Sequence, residues 1–174
     1  MLTSNAAASR LPPHEPAAAA TETIATRFGE LAYDPADTVD MPRGMPGFAG
    51  HQRFAFACLA DPNHASLRVM QSLTDPAVSF LVAPIEESHG LFGPDDLAEA
   101  HAAAGVAPED LAIAVVVSVR RQPGSIQISA NLRAPILIDT RTRRAVQYVL
   151  SNSTLSVRHT ISTVQIAEPP AALK

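Results

Sequence analysis

Apolar and polar positions alternate along residues 126–132. Ile126, Ile128, Ala130 and Leu132 share one face, and Gln127, Ser129 and Asn131 share the other. A repeat of two marks a strand with one buried face. The phase changes at Ala134-Pro135, and beyond it Ile136-Leu-Ile138 is continuously apolar. Proline has no amide proton to give a central ladder, so Pro135 marks an edge, a bulge or a corner, and the stretch reads as a strand that bends. Polar residues 139–144 then make a turn before a further strand at 145–150. Similar short runs between turn residues predict strands at 23–31, 54–59, 67–72, 78–82, 112–119, 125–132, 136–139 and 164–166. Their close spacing favours an all-β, mainly antiparallel small barrel or sandwich over a βαβ architecture. Residues 111–119 are apolar on both faces and predict the centre of the core.

One helix interrupts this pattern, near residues 94–104. Pro94 suits the first helical position, Asp95 and Asp96 favour the positive end of the dipole, and Gly105 suits a left-handed stop. Pro108-Glu-Asp110 predicts one short turn before the central strand, and Pro123-Gly124 predicts a tight reversal after it.

Composition adds bounds. At 174 residues with 47% hydrophobic positions, the chain is long enough for one domain with a real core. No apolar run approaches the roughly 20 residues of a spanning helix, so a soluble protein without membrane contact is expected. The net charge of −4 argues against a nucleic-acid surface. The single cysteine, Cys58, excludes an internal disulfide framework, suits a reducing cytoplasm, and reads as a small buried hydrophobe. Residues 1–22 are rich in Ala, Pro and Ser and lack the apolar stretch of a secretory signal. They are expected to be a disordered tail before a single domain over 23–166, with 167–174 a second loose end.

Catalytic chemistry finds little support. The six histidines, at 14, 51, 64, 89, 101 and 159, form no i, i+4 pair and have no cysteine at ligand spacing, so no metal site is expected. Ser156 and His159 lack the nucleophile elbow of a hydrolase. Arg158 and His159 point to opposite strand faces, and a structural role is favoured, bonding a turn or a carboxylate such as Asp139. Asp75-Pro76 predicts a side-chain-capped β-turn, and Gly44-Met-Pro-Gly47 a turn carrying Phe48 into the core. The basic clusters Arg141-Thr-Arg-Arg144 and Arg120-Arg121 read as solvated hairpin tips. Aromatic residues are only 5% of the chain and supply no stacking platform for nucleic acid. Neither an enzyme nor a bound cofactor is expected.

Ser129-Ala-Asn-Leu-Arg-Ala-Pro-Ile-Leu-Ile138, with the Gln147 strand and Ser156-Val-Arg-His159 after it, resembles the flagellar assembly factor FliW family. Thr26-Arg-Phe-Gly-Glu-Leu31, Met41-Pro-Arg-Gly-Met-Pro-Gly-Phe48 and Met70-Gln-Ser-Leu-Thr-Asp-Pro76 running on to Pro84 are similar to further family segments, in the same order. The resemblance spans residues 21–166. It implies a cytoplasmic protein-binding factor that holds the translational regulator CsrA away from its messages, as an allosteric antagonist, and also binds flagellin. A chaperone-like module that binds flagellin alone is the alternative. The expected partner surface comprises Gln71, Ser72, Gln127, Ser129, Asn131, Arg158 and His159, reached by strand addition at an edge or by a helix in a groove.

Overall fold

The computed structural model describes residues 21–59, 66–86 and 89–165. Residues 1–20 of the expected N-terminal tail, and all of the C-terminal one, lie outside them. Ten strands and one α-helix follow in order. They are β1 (Glu22–Thr26), β2 (Gly29–Asp40), β3 (Arg53–Cys58), β4 (Arg68–Ser72), β5 (Ser79–Ile85), α1 (Pro94–Ala104), β6 (Leu111–Gln122), β7 (Ser125–Ala130), β8 (Ile136–Asp139), β9 (Arg144–Gln147) and β10 (His159–Gln165). The expected Pro108–Asp110 turn is a 3-10 helix.

Strands β2 to β6 form an antiparallel meander. On its other edge β6 pairs with β8, β8 pairs with β9, and β9 meets β2 in parallel at Asp40 and Arg144. The ring is thereby closed, although unevenly. The single closing pair is reinforced by the Asp40 amide donating to the Arg143 carbonyl at 2.8 Å and by an Arg143–Asp37 ion pair at 3.2 Å.

The bend expected at Pro135 is where β7 gives way to β8. Both run antiparallel along one edge of β6, β7 against its residues 117–122 and β8 against its residues 111–114. Between them the backbone finds partners elsewhere, as buried amides and carbonyls must. The Asn131 amide donates to Val116 O at 2.9 Å, Leu132 N to Ser156 O at 3.0 Å, Tyr148 N to Pro135 O at 2.9 Å and Leu150 N to Arg133 O at 2.9 Å. Asn131 Oδ1 accepts from Ala134 N at 3.1 Å, and Gln147 Nε2 donates to Ala134 O at 3.0 Å.

β6 is apolar on both faces because it separates two cores. Ala112 and Ala114 face the ring interior with Val39, Met41, Phe54, Met70, Val82, Ile136 and Ile138. Leu111, Ile113 and Val115 face outward, under α1 and the segment after β9, with Phe92, Ala100, Leu132, Leu137 and Leu150. Full burial of each Val, Leu, Ile, Met or Phe side chain among them contributes about 1.5–3 kcal/mol. A smaller outer cluster, Leu31, Ala57 and Val69, covers the β2–β4 wall. Helix α1 starts and stops as its sequence predicts: Gly93 N donates to Asp96 Oδ2 at 2.9 Å, and Gly105 adopts φ 66°.

Four expectations are corrected. The strand at 23–31 is two strands, because Thr26 Oγ1 donates to Gly29 O and accepts from Phe28 N, and Gly29 at φ 99° reverses the chain. β2 then continues beyond Leu31, where an ending was expected, past Asp34-Pro35 to Asp40, because an irregularity in the register between Tyr33 and Thr38 accommodates the proline. Cys58 is half-buried at a strand end. Phe48 does not enter the core: it is 40% exposed at the ring's mouth, edge-on to Phe80 with centroids 5.2 Å apart. Met41 and Met45 take the interior place instead.

Candidate partner-binding surface

Residues 118–122 of β6 run beyond the ring, past the last β5 pair at Leu81 and Val117, and there β7 and then β10 accompany them. The result is a three-stranded antiparallel extension whose outer strand, β10, pairs only with β7 among the described residues. Its register defines two faces. On one, Ser118, Ser129 and Thr160 form a row, followed by Arg120, Gln127 and Thr163. On the other, Val117, Ala130 and His159 are followed by Val119, Ile128 and Ser162. Arg121 and Ile126 come next on that second face. A bulge between Thr160 and Ser162 leaves Ile161 without a partner on β7, and its side chain is 51% exposed.

The structure brings some of the expected surface residues together. Gln127 is half-buried, with its Nε2 3.4 Å from Thr160 Oγ1 and its Oε1 3.4 Å from Gln122 Nε2. Ser129 is in the same face but buried. Arg158 and His159 are exposed where the chain enters β10, with the Arg158 amide held by Ser156 Oγ at 3.0 Å. Asn131, half-buried, closes the turn at the bend. Asp139, the carboxylate considered for Arg158 or His159, is occupied by its own turn. It accepts from the amides of Arg141 and Thr142 at 2.9 and 3.0 Å and from the Thr142 hydroxyl.

Gln71 and Ser72 lie elsewhere, three strands from β7 in sheet order. Gln71 is fully buried and serves the β4–β5 turn. Its Nε2 donates to the carbonyls of Ser72, Asp75 and Val78 at 3.0, 2.8 and 3.1 Å, and its Oε1 accepts from the Ser79 hydroxyl. The same turn carries the expected Asp75 cap, accepting from Ala77 N at 2.8 Å. Ser72 Oγ, also buried, is 3.0 Å from His51 Nδ1 and 3.1 Å from Thr74 Oγ1. Both residues are thus used inside the fold.

Sequence reading missed Val119, Ile126 and Ile128 as surface. Their alternation is that of any half-buried strand, and only the register shows that β6 and β7 outrun their cover. Among the described residues, no group of three or more His, Cys, Asp or Glu side chains is placed to hold a metal ion, and no helix is long and apolar enough to cross a membrane.

Comparison with known proteins identifies the fold and the sequence together. The profile of the FliW protein family matches residues 22–161. The flagellar assembly factor FliW of Syntrophus aciditrophicus is 34% identical over 139 residues, covering 78% of this chain and 84% of its own. The FliW of Moorella thermoacetica is 32% identical over 143 residues, covering 79% and 86%. A crystal structure of the flagellar assembly factor FliW superposes with a TM-score of 0.59 at 25% identity, covering 80% of this chain and 96% of that one. With its profile match, its relatives and its uneven ring of strands in agreement, the chain belongs to the FliW family of flagellar assembly factors.

Proposed function

We propose that this protein acts in the cytoplasm as a protein-binding regulator: it holds the translational regulator CsrA as an allosteric antagonist and also binds flagellin. Flagellin accumulating ahead of assembly would occupy the protein, release CsrA and halt further flagellin synthesis. Such a loop needs only two ligands with coupled or competing occupancy. The family membership carries the reading. It is supported by a surface suited to macromolecular contact, a sheet extension whose outer strand β10 pairs with β7 alone among the described residues. Gln127, Asn131, Arg158 and His159 are the accessible members of the proposed contact set, while Gln71, Ser72 and Ser129 hold the fold behind it.

Calorimetric titration with CsrA and, separately, with flagellin of the same organism tests this. Tight CsrA binding that flagellin reverses is the expected result. Binding of flagellin alone leaves a chaperone-like module, and no binding of either overturns the reading.

A further inference from the structure

The outward core under α1 does not end where its cover ends. Val115, Ala130 and Leu132 are buried in it, and Val117 lies on the same face of β6, still 5% exposed. Two residues further, on the same face, Val119 is 50% exposed, beside half-buried Ile128 and Ile126. A partly exposed β-branched apolar row that continues a buried core is one mark of an interaction face.

Charge indicates the kind of molecule. Residues 111–167 hold seven arginines and a single acid, Asp139, whereas residues 1–110 hold five arginines and fifteen acids. Asp139 stands opposite Leu111, at the far end of β6 from Arg121. Residues 117–122, β7 and β10 contain no Asp or Glu, while Arg120, Arg121 and His159 are exposed on them and Arg158 is exposed at the entry to β10. Arg121 lies on the apolar face itself, directly across from Ile126. In a chain of net charge −4, this end is therefore a local positive field around an apolar row.

We propose that this face, centred on Val119, Ile126, Ile128 and Arg121, is the docking surface for an acidic amphipathic segment of a partner protein. The inference rests on the protein-binding reading above. Apolar side chains of the segment would cover the exposed row, and its carboxylates would meet Arg121, with Arg158 and His159 at the rim. Single-stranded nucleic acid fits less well, because these strands carry no Phe, Tyr or Trp for bases to stack on. A second copy docking through the same face would bring another set of arginines and no carboxylate to meet them.

The full chain, with isotope-labelled Ile and Val methyl groups, is titrated with a leucine–glutamate amphipathic peptide about five helical turns long, with its leucine–lysine counterpart, and with an oligouridylate. The glutamate peptide is expected to shift the methyls of Val119, Ile126 and Ile128, and to bind R121E at least about tenfold more weakly. Val119→Thr, which keeps strand propensity at an exposed position, is expected to weaken it as well. Four results would each overturn the proposal: equal binding of the lysine peptide, shifts confined to Val78 and Val116, which line a groove beside Phe48 and Phe80, oligouridylate preferred at the same methyls, or self-association moving them without peptide. Flagellin and CsrA are then titrated into wild type and R121E. Binding both variants alike would refute this surface and leave the functional reading standing. Peptide binding without either protein would do the reverse.

Discussion

Glu99 on α1 receives both the backbone amide and the hydroxyl of Ser151, at 2.9 Å and 2.6 Å, and so ties the helix to the segment that follows β9. The Tyr148 hydroxyl donates to the same carboxylate at 3.3 Å, and Asn152 Nδ2 donates to Asp96 one turn earlier at 2.9 Å. This latch fastens the cover of the outer core to the residues that brace the β7–β8 bend.

The Ser151 hydroxyl, before the other groups, holds the Glu99 pKa below its ordinary 4.5. A carboxylate whose pKa is depressed by folding adds stability above its unfolded value and loses it as pH falls through the folded one. Glu99→Gln is therefore expected to lower the melting temperature at neutral pH. The gap to wild type should close as pH drops below about 4.5, which paired melting curves across that range would check.

Gln71→Ala removes a fully buried amide that serves three carbonyls and a hydroxyl. A buried group left without its partner costs about 1–3 kcal/mol. Denaturant unfolding is expected to show a loss of about 3 kcal/mol, with partner affinity of the folded fraction unchanged. A variant of wild-type stability that fails to bind would return Gln71 to the contact surface.

Gly44 and Gly105 both sit at positive φ, 63° and 66°. Their surroundings differ. A Cβ on Gly44 would come within 2.5 Å of the Phe48 carbonyl and 2.8 Å of Ala49 Cα, whereas one on Gly105 would meet nothing within 4 Å. Gly105→Ala should cost about 1 kcal/mol, the left-handed penalty alone. Gly44→Ala should cost more than twice that and disturb the Phe48–Phe80 contact, since backbone cannot step aside. Comparable unfolding midpoints for the two would refute the distinction.

Arg143 is the non-glycine residue at positive φ, 58°, among those described. Its conformation presents its carbonyl to Asp40 N and its guanidinium to Asp37. Replacement by Gly and by Ala removes the ion pair alike, but only Ala must hold the left-handed backbone. Arg143→Gly is thus expected to be the more stable of the two by about 1 kcal/mol in equilibrium unfolding. The reverse order would mean that the turn reshapes itself.

Much of the strand pattern was legible because period-two alternation and turn residues are local signals. Ile136–Asp139 and the 94–104 helix fall where apolar phase, Pro94 and Gly105 put them. The Pro135 corner was legible too, since a missing amide constrains the ladder wherever it occurs. β2 was not, because the irregular register that accommodates Asp34-Pro35 depends on pairing with β3, distant in sequence. Phe48 misled for a related reason: aromatic residues after a turn usually enter a core, but here Met41 and Met45 already fill it. The accessible surface was the least legible part. Polar Gln71 and Ser129 read as exposed and are internal, while apolar Val119 reads as internal and is exposed. Side-chain polarity states a preference for water, and only the tertiary arrangement states how much water is there.

The Asp40–Arg144 pairing that shuts the ring joins positions more than a hundred residues apart. Val39, Met41, Phe54 and Met70 therefore lack the part of their cover that Ile136, Ile138 and Ala145 supply until β8 and β9 have been synthesised. A message truncated before residue 144 would yield a product without its last staves, exposed to proteolysis and to pairing with other half-made copies. Joining such distant segments also raises the contact order, so this protein is expected to mature slowly for its length.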